Sequence, residues 1–95
     1  MPKYLALFKS GGSGMTEPSA GEHKAWMDWR EAVGDAIVDF GAPTTAVPGG
    51  GGGDVGGYSI VQADSLEALD AVFENNPHRH RGGIIELHEI VDMDG

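Results

Sequence analysis

Two short segments of the chain are apolar at consecutive positions, and this constrains the fold more than any other feature of the sequence. Residues 3–8 (KYLALF) and residues 58–63 (YSIVQA) both read as strands that combine aromatic and aliphatic side chains. Successive side chains of a strand point to opposite faces, so neither face of these strands is expected to meet bulk water. The sequence therefore predicts a sheet that is covered on both sides.

A first helix is predicted over residues 20–33. Ser19 and Glu22 have the spacing of a capping box, and Gly34 suits the left-handed backbone that ends many helices. The large apolar residues that recur at helical spacing are Trp26, Trp29 and Val33. These three residues define the face that the helix is expected to bury.

A second helix is predicted to follow the strand at residues 58–63. Asp64 and Glu67 form another capping pair, and Pro77 stops the helix after two asparagines. Its buried stripe is expected to consist of Leu66, Leu69, Val72 and Phe73. Residues 78–81 are then expected to form a solvated loop.

The remaining strands are shorter or more polar. Residues 44–47 have β-branched side chains and are predicted as an edge strand that ends at Pro48. Residues 49–57 begin with five consecutive glycines and are predicted as a loop. The last strand is predicted over residues 84–91, with Ile85 and Leu87 on one face and Ile84, Glu86, His88 and Ile90 on the other.

The predicted order of elements is β-α-β-β-α-β, the order of a ferredoxin-like α+β fold. In that fold an antiparallel four-stranded sheet carries two helices on one face, so its other face is bare. A second copy packing sheet against sheet is the simplest cover, so a homodimer is predicted that covers apolar residues such as Tyr4, Phe8 and Ile60. The alternative is a monomer whose open face is half polar, with Ser59, Gln62, Glu86, His88 and Glu89.

Length and charge limit the classes of partner. The 95 residues are enough for one small domain, taken as residues 1–95. Fifteen Asp and Glu residues against six Lys and Arg leave a formal net charge of -9, which opposes binding to nucleic acid and to anionic membranes. The sequence has no cysteine, which excludes disulfides and Cys-based zinc sites but leaves the redox compartment undecided. It has no apolar run of about 20 residues and no signal-peptide pattern, so we expect a cytoplasmic protein.

Several segments together resemble the YCII-related family and its DGPF-type branch. They are residues 1–8 (MPKYLALF), 26–29 (WMDW), 34–41 (GDAIVDFG), 57–68 (GYSIVQADSLEA), 76–77 (NP) and 82–87 (GGIIEL). The resemblance implies a dimeric α+β barrel in which two ferredoxin-like sheets face each other. The Asp-Gly-Pro-Phe tetrapeptide that names the branch is absent, and the glycine-rich residues 49–57 stand in its place.

The family is largely without an assigned activity. Proteins with the same barrel architecture include cofactor-free isomerases, dehydrochlorinases and oxygenases of small organic molecules, and some DGPF-type relatives are associated with alternative sigma factors. Two hypotheses follow: a cofactor-free small-molecule enzyme or binder that uses a His–carboxylate pair in a cavity between the helix and the sheet, or a non-catalytic interaction module, for example in transcription regulation. A fold does not decide between these two classes.

The resemblance also implies a catalytic pair of His23 and Asp39. Members of the family place a histidine on this helix that is read as half of a His–carboxylate pair, and His23 stands at the matching position. His23 lies three residues before Trp26 and is expected on the same inward face. Asp39 is the nearest candidate carboxylate, and such a partner would fix the imidazole tautomer and favour proton abstraction. The alternatives are a helix-start histidine bonded to a loop and an acidic turn residue that caps its own backbone.

Other candidate contacts are Trp26, Arg79 and Arg81. The two arginines belong to the basic segment at residues 78–81 and could bind a carboxylate or phosphate of a small ligand, with a solvated loop as the alternative. Trp26 could line an aromatic pocket, with core packing as the alternative. His78 and His80 lack further ligands nearby and their arginine neighbours oppose a cation, so neither a metal nor another cofactor is predicted. His88 is interpreted as a structural histidine of the dimer interface or barrel lumen.

Overall fold

The computed structural model describes residues 1–9, 20–51 and 53–91, with the side chains of the first helix described from residue 23 onward. In chain order the elements are β1 (Lys3–Lys9), α1 (Ala20–Val33), a 3-10 turn (Gly34–Ala36), β2 (Ile37–Pro43), β3 (Val55–Gln62), α2 (Leu66–Val72), α3 (Pro77–His80) and β4 (Ile84–Glu89). The predicted capping box of Ser19 and Glu22 lies outside the described side chains. Within the described residues, no helix is both long enough and apolar enough to cross a membrane.

The four strands form one antiparallel sheet in the order β2-β3-β1-β4. The two strands that are apolar on both faces, β1 and β3, are the central pair, as their sequences predict. Trp29 of α1 and Phe73 at the end of α2 both pack into the cluster that contains Phe8 of β1, so the helices lie on one face of the sheet. The predicted ferredoxin-like α+β fold is therefore confirmed.

Trp29 organises the core between the helices and the sheet. It is 2% exposed, its ring stacks on Phe73 with 5.6 Å between centroids, and its Nε1–H donates to the backbone oxygen of Val72 at 2.8 Å. That hydrogen bond satisfies the polar atom of the indole, so the whole side chain can be buried without an unpaired donor. The sheet contributes its own buried residues to this core: Tyr4, Ala6, Phe8 and Val61.

The edge strand lies earlier in the chain than the sequence predicts. β2 spans Ile37–Pro43, and residues 44–47 are not in a strand, although Thr44 N–H still donates to the backbone oxygen of Gly56 at 3.0 Å. The prediction of a strand at residues 44–47 is wrong. The β-branched content of these residues favours a strand there, but the edge strand forms earlier in the chain because Ile37 and Phe40 pack against the core. Gly41 permits the irregular pairing of β2 with β3. Its φ of +80° is unfavourable for residues with a side chain, and a Cβ at this position would overlap the backbone of Tyr58.

β3 takes up part of the segment that the sequence predicts as a glycine-rich loop. The strand begins at Val55, and Gly56 and Gly57 are both within it. A Cβ on Gly57 would lie 3.3 Å from the backbone oxygen of Ala42 and 3.7 Å from the ring of Phe8. A glycine in this strand therefore permits close packing of the backbone, and the predicted loop at residues 49–57 is too long at its C-terminal end.

α2 begins and is capped differently from the prediction. The N-cap is Ser65, whose Oγ accepts a hydrogen bond from Ala68 N–H at 3.0 Å. Leu66 is 75% exposed, so its predicted place in the buried stripe is wrong, whereas Leu69 and Phe73 are buried as predicted. Leu66 is the first residue of the helix and has no element beside it to bury it.

Residues 77–80 form a one-turn helix, α3, and not the predicted solvated loop. Asn76 caps this turn because its Oδ1 accepts hydrogen bonds from the backbone N–H groups of His78 and Arg79, at 2.9 and 3.3 Å. His78 is consequently directed into the protein and is 2% exposed.

The face of the sheet that the helices do not cover is termed the open face. Its residues alternate with the core residues of the same strands and are Leu5, Leu7 and Lys9 of β1, Tyr58, Ile60 and Gln62 of β3, and Ile84, Glu86 and His88 of β4. The central members are only half-buried. Tyr4 and Phe8 are covered by the chain's own helices, so the expectation that a second copy covers them is wrong, whereas Ile60 lies on the open face.

Candidate functional site

His23 is exposed on α1. The helix turns by roughly 100° per residue, which places His23 about 120° around the helix axis from Trp29, the residue that points most directly into the core. The prediction that His23 shares the inward face with Trp26 and Val33 is therefore wrong for the single chain. Among the described residues, His23 makes no hydrogen bond or ion pair with a carboxylate.

Asp39 is also exposed, and its Oδ1 accepts a hydrogen bond from Gly41 N–H at 2.9 Å. This is the turn-capping role that was the alternative in the sequence. Asp39 is paired across the sheet with Ile60, which lies between the buried Ser59 and Val61 and so points to the open face. His23 is in the helix layer on the other side, so the chain does not bring the two predicted partners together.

Trp26 is half-buried at the margin of the core. Its ring packs edge to face against Phe8, Trp29 and Phe40, with centroid separations of 5.0, 5.7 and 6.4 Å. These contacts are those of a core aromatic residue, and they occupy most of the ring. The prediction that Trp26 contacts a ligand therefore concerns only the part of its ring that is exposed, and it stays a prediction.

The predicted arginines lie on and just after α3. Arg79 binds α2, with Nη2 at 3.1 Å from Asp70 Oδ1 and Nη1 at 3.4 Å from the backbone oxygen of the same residue. Arg81 is exposed at the end of the turn. The paired guanidinium of Arg79 therefore holds two short helices together, and a ligand-binding role for either arginine stays a prediction.

The histidines of the same segment do not form a metal site with one another. His78 Nε2 lies near the backbone oxygens of Lys9 and Ile84, whereas the Nε2 atom of His80 lies 3.0 Å from the backbone oxygen of Glu74. Within residues 1–9, 20–51 and 53–91, no three His, Asp or Glu side chains are grouped so that they could hold a metal ion.

A chain of four charged or titratable side chains crosses the open face. Lys9 Nζ lies 3.2 Å from Asp54 Oδ2 and 3.3 Å from Glu86 Oε2, and the second oxygen of Glu86, Oε1, lies 3.1 Å from His88 Nε2. Glu86 thus bridges an ammonium group and an imidazole. Among the described residues, this is the place where a histidine meets a carboxylate.

The hydrogen bonds of this chain shift the pKa values of two of its members. The pKa of Lys9 is raised above its usual value of 10.5, first by its hydrogen bond with Asp54 and then by the one with Glu86. The pKa of Glu86 is lowered below its usual value of 4.5, first by the hydrogen bond with Lys9 and then by the one with His88. At neutral pH the ammonium group and the carboxylate are therefore both charged.

The pleat of the sheet explains why Glu86 and His88 meet. They are two residues apart on β4, so their side chains share a face, and their cross-strand partners on β1 are Leu7 and Leu5. The charged chain consequently borders apolar side chains on one continuous surface. The alternation of Glu86 and His88 was visible in the sequence, but a strand alternation alone did not show that Lys9 and Asp54 would join them.

Such an arrangement can perform acid–base chemistry. A neutral His88 that donates from Nε2 to Glu86 keeps a lone pair on Nδ1, which can accept a proton from a bound molecule. Glu86 would stabilise the imidazolium that forms, and Lys9 would favour a negative charge nearby. No part of this chemistry requires a cofactor.

A separate groove of about 500 Å³ lies on the other side of the molecule, between α1 and β2. The residues that line it include Met27, Arg30, Glu31, Gly34, Ile37, Val38 and Phe40. Arg30 lies over the ring of Phe40, with its guanidinium carbon 5.1 Å from the centroid. None of the predicted site residues lines this groove.

Comparison with known proteins identifies the fold but not the family. No protein-family model matches the chain, and a search of curated proteins finds no match. Among solved structures, the chain is similar to 5-chloro-2-hydroxyhydroquinone dehydrochlorinase (TftG) from Burkholderia phenoliruptrix AC1100, in a complex with 2,5-dihydroxybenzoquinone, with 22% sequence identity and a TM-score of 0.59. The match covers 90% of this chain and 91% of that one, so the likeness extends over most of both chains.

Proposed function

We propose that this protein is a cofactor-free enzyme or binder of a small organic molecule, working as a homodimer whose site lies on the open face. The observation that carries this proposal is the Lys9–Glu86–His88 chain, which borders an apolar surface that the single chain leaves uncovered. Membership of the YCII-related family and a cytoplasmic location are part of the same proposal. The fold shared with the dehydrochlorinase is consistent with it.

A second copy is the proposed cover of the open face. Leu5 and Ile60 are directly opposite each other on the central strands and are half-buried, whereas His88 lies farther out on the edge strand. Two such faces related by a two-fold axis would bring their apolar centres together and leave the charged chains towards the rim. A small cavity between the sheets would then be apolar with a few polar groups, which is the usual character of a ligand site.

The proposed role of His88 is that of a general base, with Glu86 orienting its ring and Lys9 stabilising an anionic ligand. A planar, acidic, polyoxygenated ring would use all three groups, because it offers an apolar body, an ionisable hydroxyl and a negatively charged oxygen. The related dehydrochlorinase structure contains 2,5-dihydroxybenzoquinone, which has this chemistry. That compound is therefore the first probe for this protein.

The test is a titration of the protein with 2,5-dihydroxybenzoquinone, followed by calorimetry and by the shift in melting temperature. We expect binding that His88→Ala weakens at least tenfold. His80→Ala is the matched control, because His80 is an exposed histidine that bonds the backbone of Glu74 away from the open face. Equal affinities of the two variants would contradict the site, and the absence of binding by this probe and by a panel of hydroxylated aromatic acids would favour an interaction module.

His23→Ala provides a further arm of the same experiment. His23 and Asp39 are the pair that the family resemblance implies, and their catalytic role stays a proposal separate from the open face. Loss of binding in His23→Ala with full binding in His88→Ala would move the site to the helix layer. The reverse result would assign it to the open face.

A further inference from the structure

His78 is a buried imidazole in a segment that is otherwise polar and exposed. Its side chain is 2% exposed, and its Nε2 lies 2.6 Å from the backbone oxygen of Lys9 and 3.2 Å from that of Ile84. Carbonyl oxygens only accept hydrogen bonds, so Nε2 must carry the proton and donate to both. The other ring nitrogen, Nδ1, is buried without a partner among the described residues.

The two carbonyl groups belong to one pair of residues across the sheet. Lys9 is the last residue of β1, Ile84 is the first residue of β4, and the two are cross-strand partners. β1 also has an irregular register with β3 between Phe8 and Lys9, so the pairing is disturbed at this position. The imidazole of His78 therefore holds the β1–β4 pair together where the β1–β3 ladder is irregular.

The surrounding chain is shaped to admit this ring. Asn76 caps the turn that carries His78, and the ring packs edge to face on Phe8 with 5.6 Å between centroids. A side chain on Gly83 would overlap the His78 imidazole, so glycine is required beside it. The cap at Asn76 and the absence of a side chain at Gly83 thus hold the imidazole of His78 in one orientation.

We propose that His78 is a positioning residue for the open-face site, because its Nε2–H fixes the backbone of Lys9 and so directs the Lys9 side chain to Asp54 and Glu86. Its importance for ligand binding rests on the function proposed above. Its effect on Lys9 and Glu86 does not, since the ion pairs of Lys9 are made with side chains of this chain.

The test compares His78→Phe with His80→Phe. Phenylalanine fills the volume of the imidazole but leaves the oxygens of Lys9 and Ile84 without their donor, whereas His80 makes no described contact with β1. The readout is the pKa of the Glu86 carboxyl, measured by NMR on labelled protein, with the fold checked by circular dichroism. We expect that pKa to rise towards its usual 4.5 in His78→Phe and to stay low in His80→Phe and the wild type.

His78→Gln is the conservative variant, because its side-chain amide can also donate to a carbonyl, and we expect it to restore part of the difference. A folded His78→Phe protein with an unchanged Glu86 pKa would overturn the proposal. If His78→Phe does not fold, the nitrogen NMR signals of the wild-type imidazole decide: a ring that carries a proton on Nε2 supports the proposal, and a ring whose Nε2 is unprotonated overturns it.

The two proposals can fail separately. A Glu86 pKa that responds to His78→Phe in a protein that binds no probe would uphold the positioning role and refute the ligand site. If His88→Ala weakens the binding of 2,5-dihydroxybenzoquinone while His78→Phe changes neither this binding nor the Glu86 pKa, the ligand site is upheld and the positioning role is refuted.

Discussion

The two faces of the sheet are made by alternate residues of the same strands, yet they differ in how they are covered. On the helix side Phe8 and Val61 are 4% and 0% exposed, whereas Leu7 and Ile60, one residue earlier in each strand, are only half-buried. The chain completes its core on one side and leaves the other side only partly covered. The period of two in a strand therefore separates the residues that stabilise the fold from those that can serve a function.

Polar groups follow the same division. On the helix side, hydroxyl and indole groups are satisfied by the backbone, as Ser59 Oγ–H donates to the oxygen of Phe40 at 2.6 Å. On the open face, the side chains of Lys9, Glu86 and His88 satisfy one another. Leaving a buried polar atom unpaired costs free energy, so most such atoms are paired within the fold, whereas a group on an open surface can exchange its partner for a ligand.

The largest expected effect is the loss of a core aromatic ring on the helix side. Phe73→Ala removes a residue that is 2% exposed and stacked on Trp29, and it should lower the free energy of unfolding by about 3–5 kcal/mol. Urea unfolding measures this change. Leu66→Ala is the control at a 75% exposed position at the start of the same helix, where about 0.5 kcal/mol or less is expected. Similar losses in both variants would contradict the assigned core.

A smaller loss is expected where α3 joins the open-face strands. Gly83→Ala would place a methyl group against the imidazole of His78, and such overpacking typically costs about 1–3 kcal/mol. Gly53→Ala is the matched control, because a methyl group there meets no other atom within 4 Å. The melting temperature of Gly83→Ala should be lower than that of Gly53→Ala. A Gly83→Ala protein with the melting temperature of the wild type would argue against a fixed His78 ring.

A charged substitution on the open face is expected to change the oligomeric state more than the stability of the fold. Ile60→Lys should convert a dimer into a single chain of 9.9 kDa while circular dichroism retains the folded spectrum, because Ile60 contributes to the uncovered face and not to the core. Light scattering coupled to gel filtration measures the mass. Leu66→Lys on the helix side is the control and should stay dimeric. A wild-type protein of single-chain mass would itself refute the proposed dimer.

The smallest effect is expected from the charged chain of the open face. The pKa of Glu86 is lower in the folded protein, so its contribution to stability is present above its usual pKa of 4.5 and is lost as the pH falls through the folded value. Glu86→Gln should therefore reduce the acid-induced loss of stability below pH 4.5, whereas Glu89→Gln, on the other face of β4, should not. Urea midpoints between pH 3 and pH 7 measure this. Added salt should weaken the effect, because these side chains are accessible to water.

Much of the fold could be predicted from local patterns. The first helix spans the predicted residues 20–33, and Gly34 has the left-handed φ of +52° expected after a helix end. The edge strand could not be placed in the same way. Burial of Phe40 against two tryptophans decided it, and that contact joins residues distant in sequence.

The candidate site was less accessible to sequence reasoning. A helical spacing of three suggested that His23 faced inward, but spacing gives only relative angles, and the core direction was set by Trp29. The contacts of Glu86 with Lys9 join two strands that are far apart in the chain, and Asp54 reaches Lys9 from the turn just before a third strand. His78, in a segment that reads as polar, is buried because Asn76 caps the turn that carries it.

The order of elements, the central position of β1 and β3, and the need to cover two sheet faces followed from the sequence, because local hydrophobic periodicity specifies which segments are strands and which are helices. Tertiary structure alone decided which face the helices cover, where the edge strand lies and which titratable groups meet. Those outcomes depend on contacts between residues of different elements. Such contacts form only when the elements pack together, and local sequence patterns do not specify them.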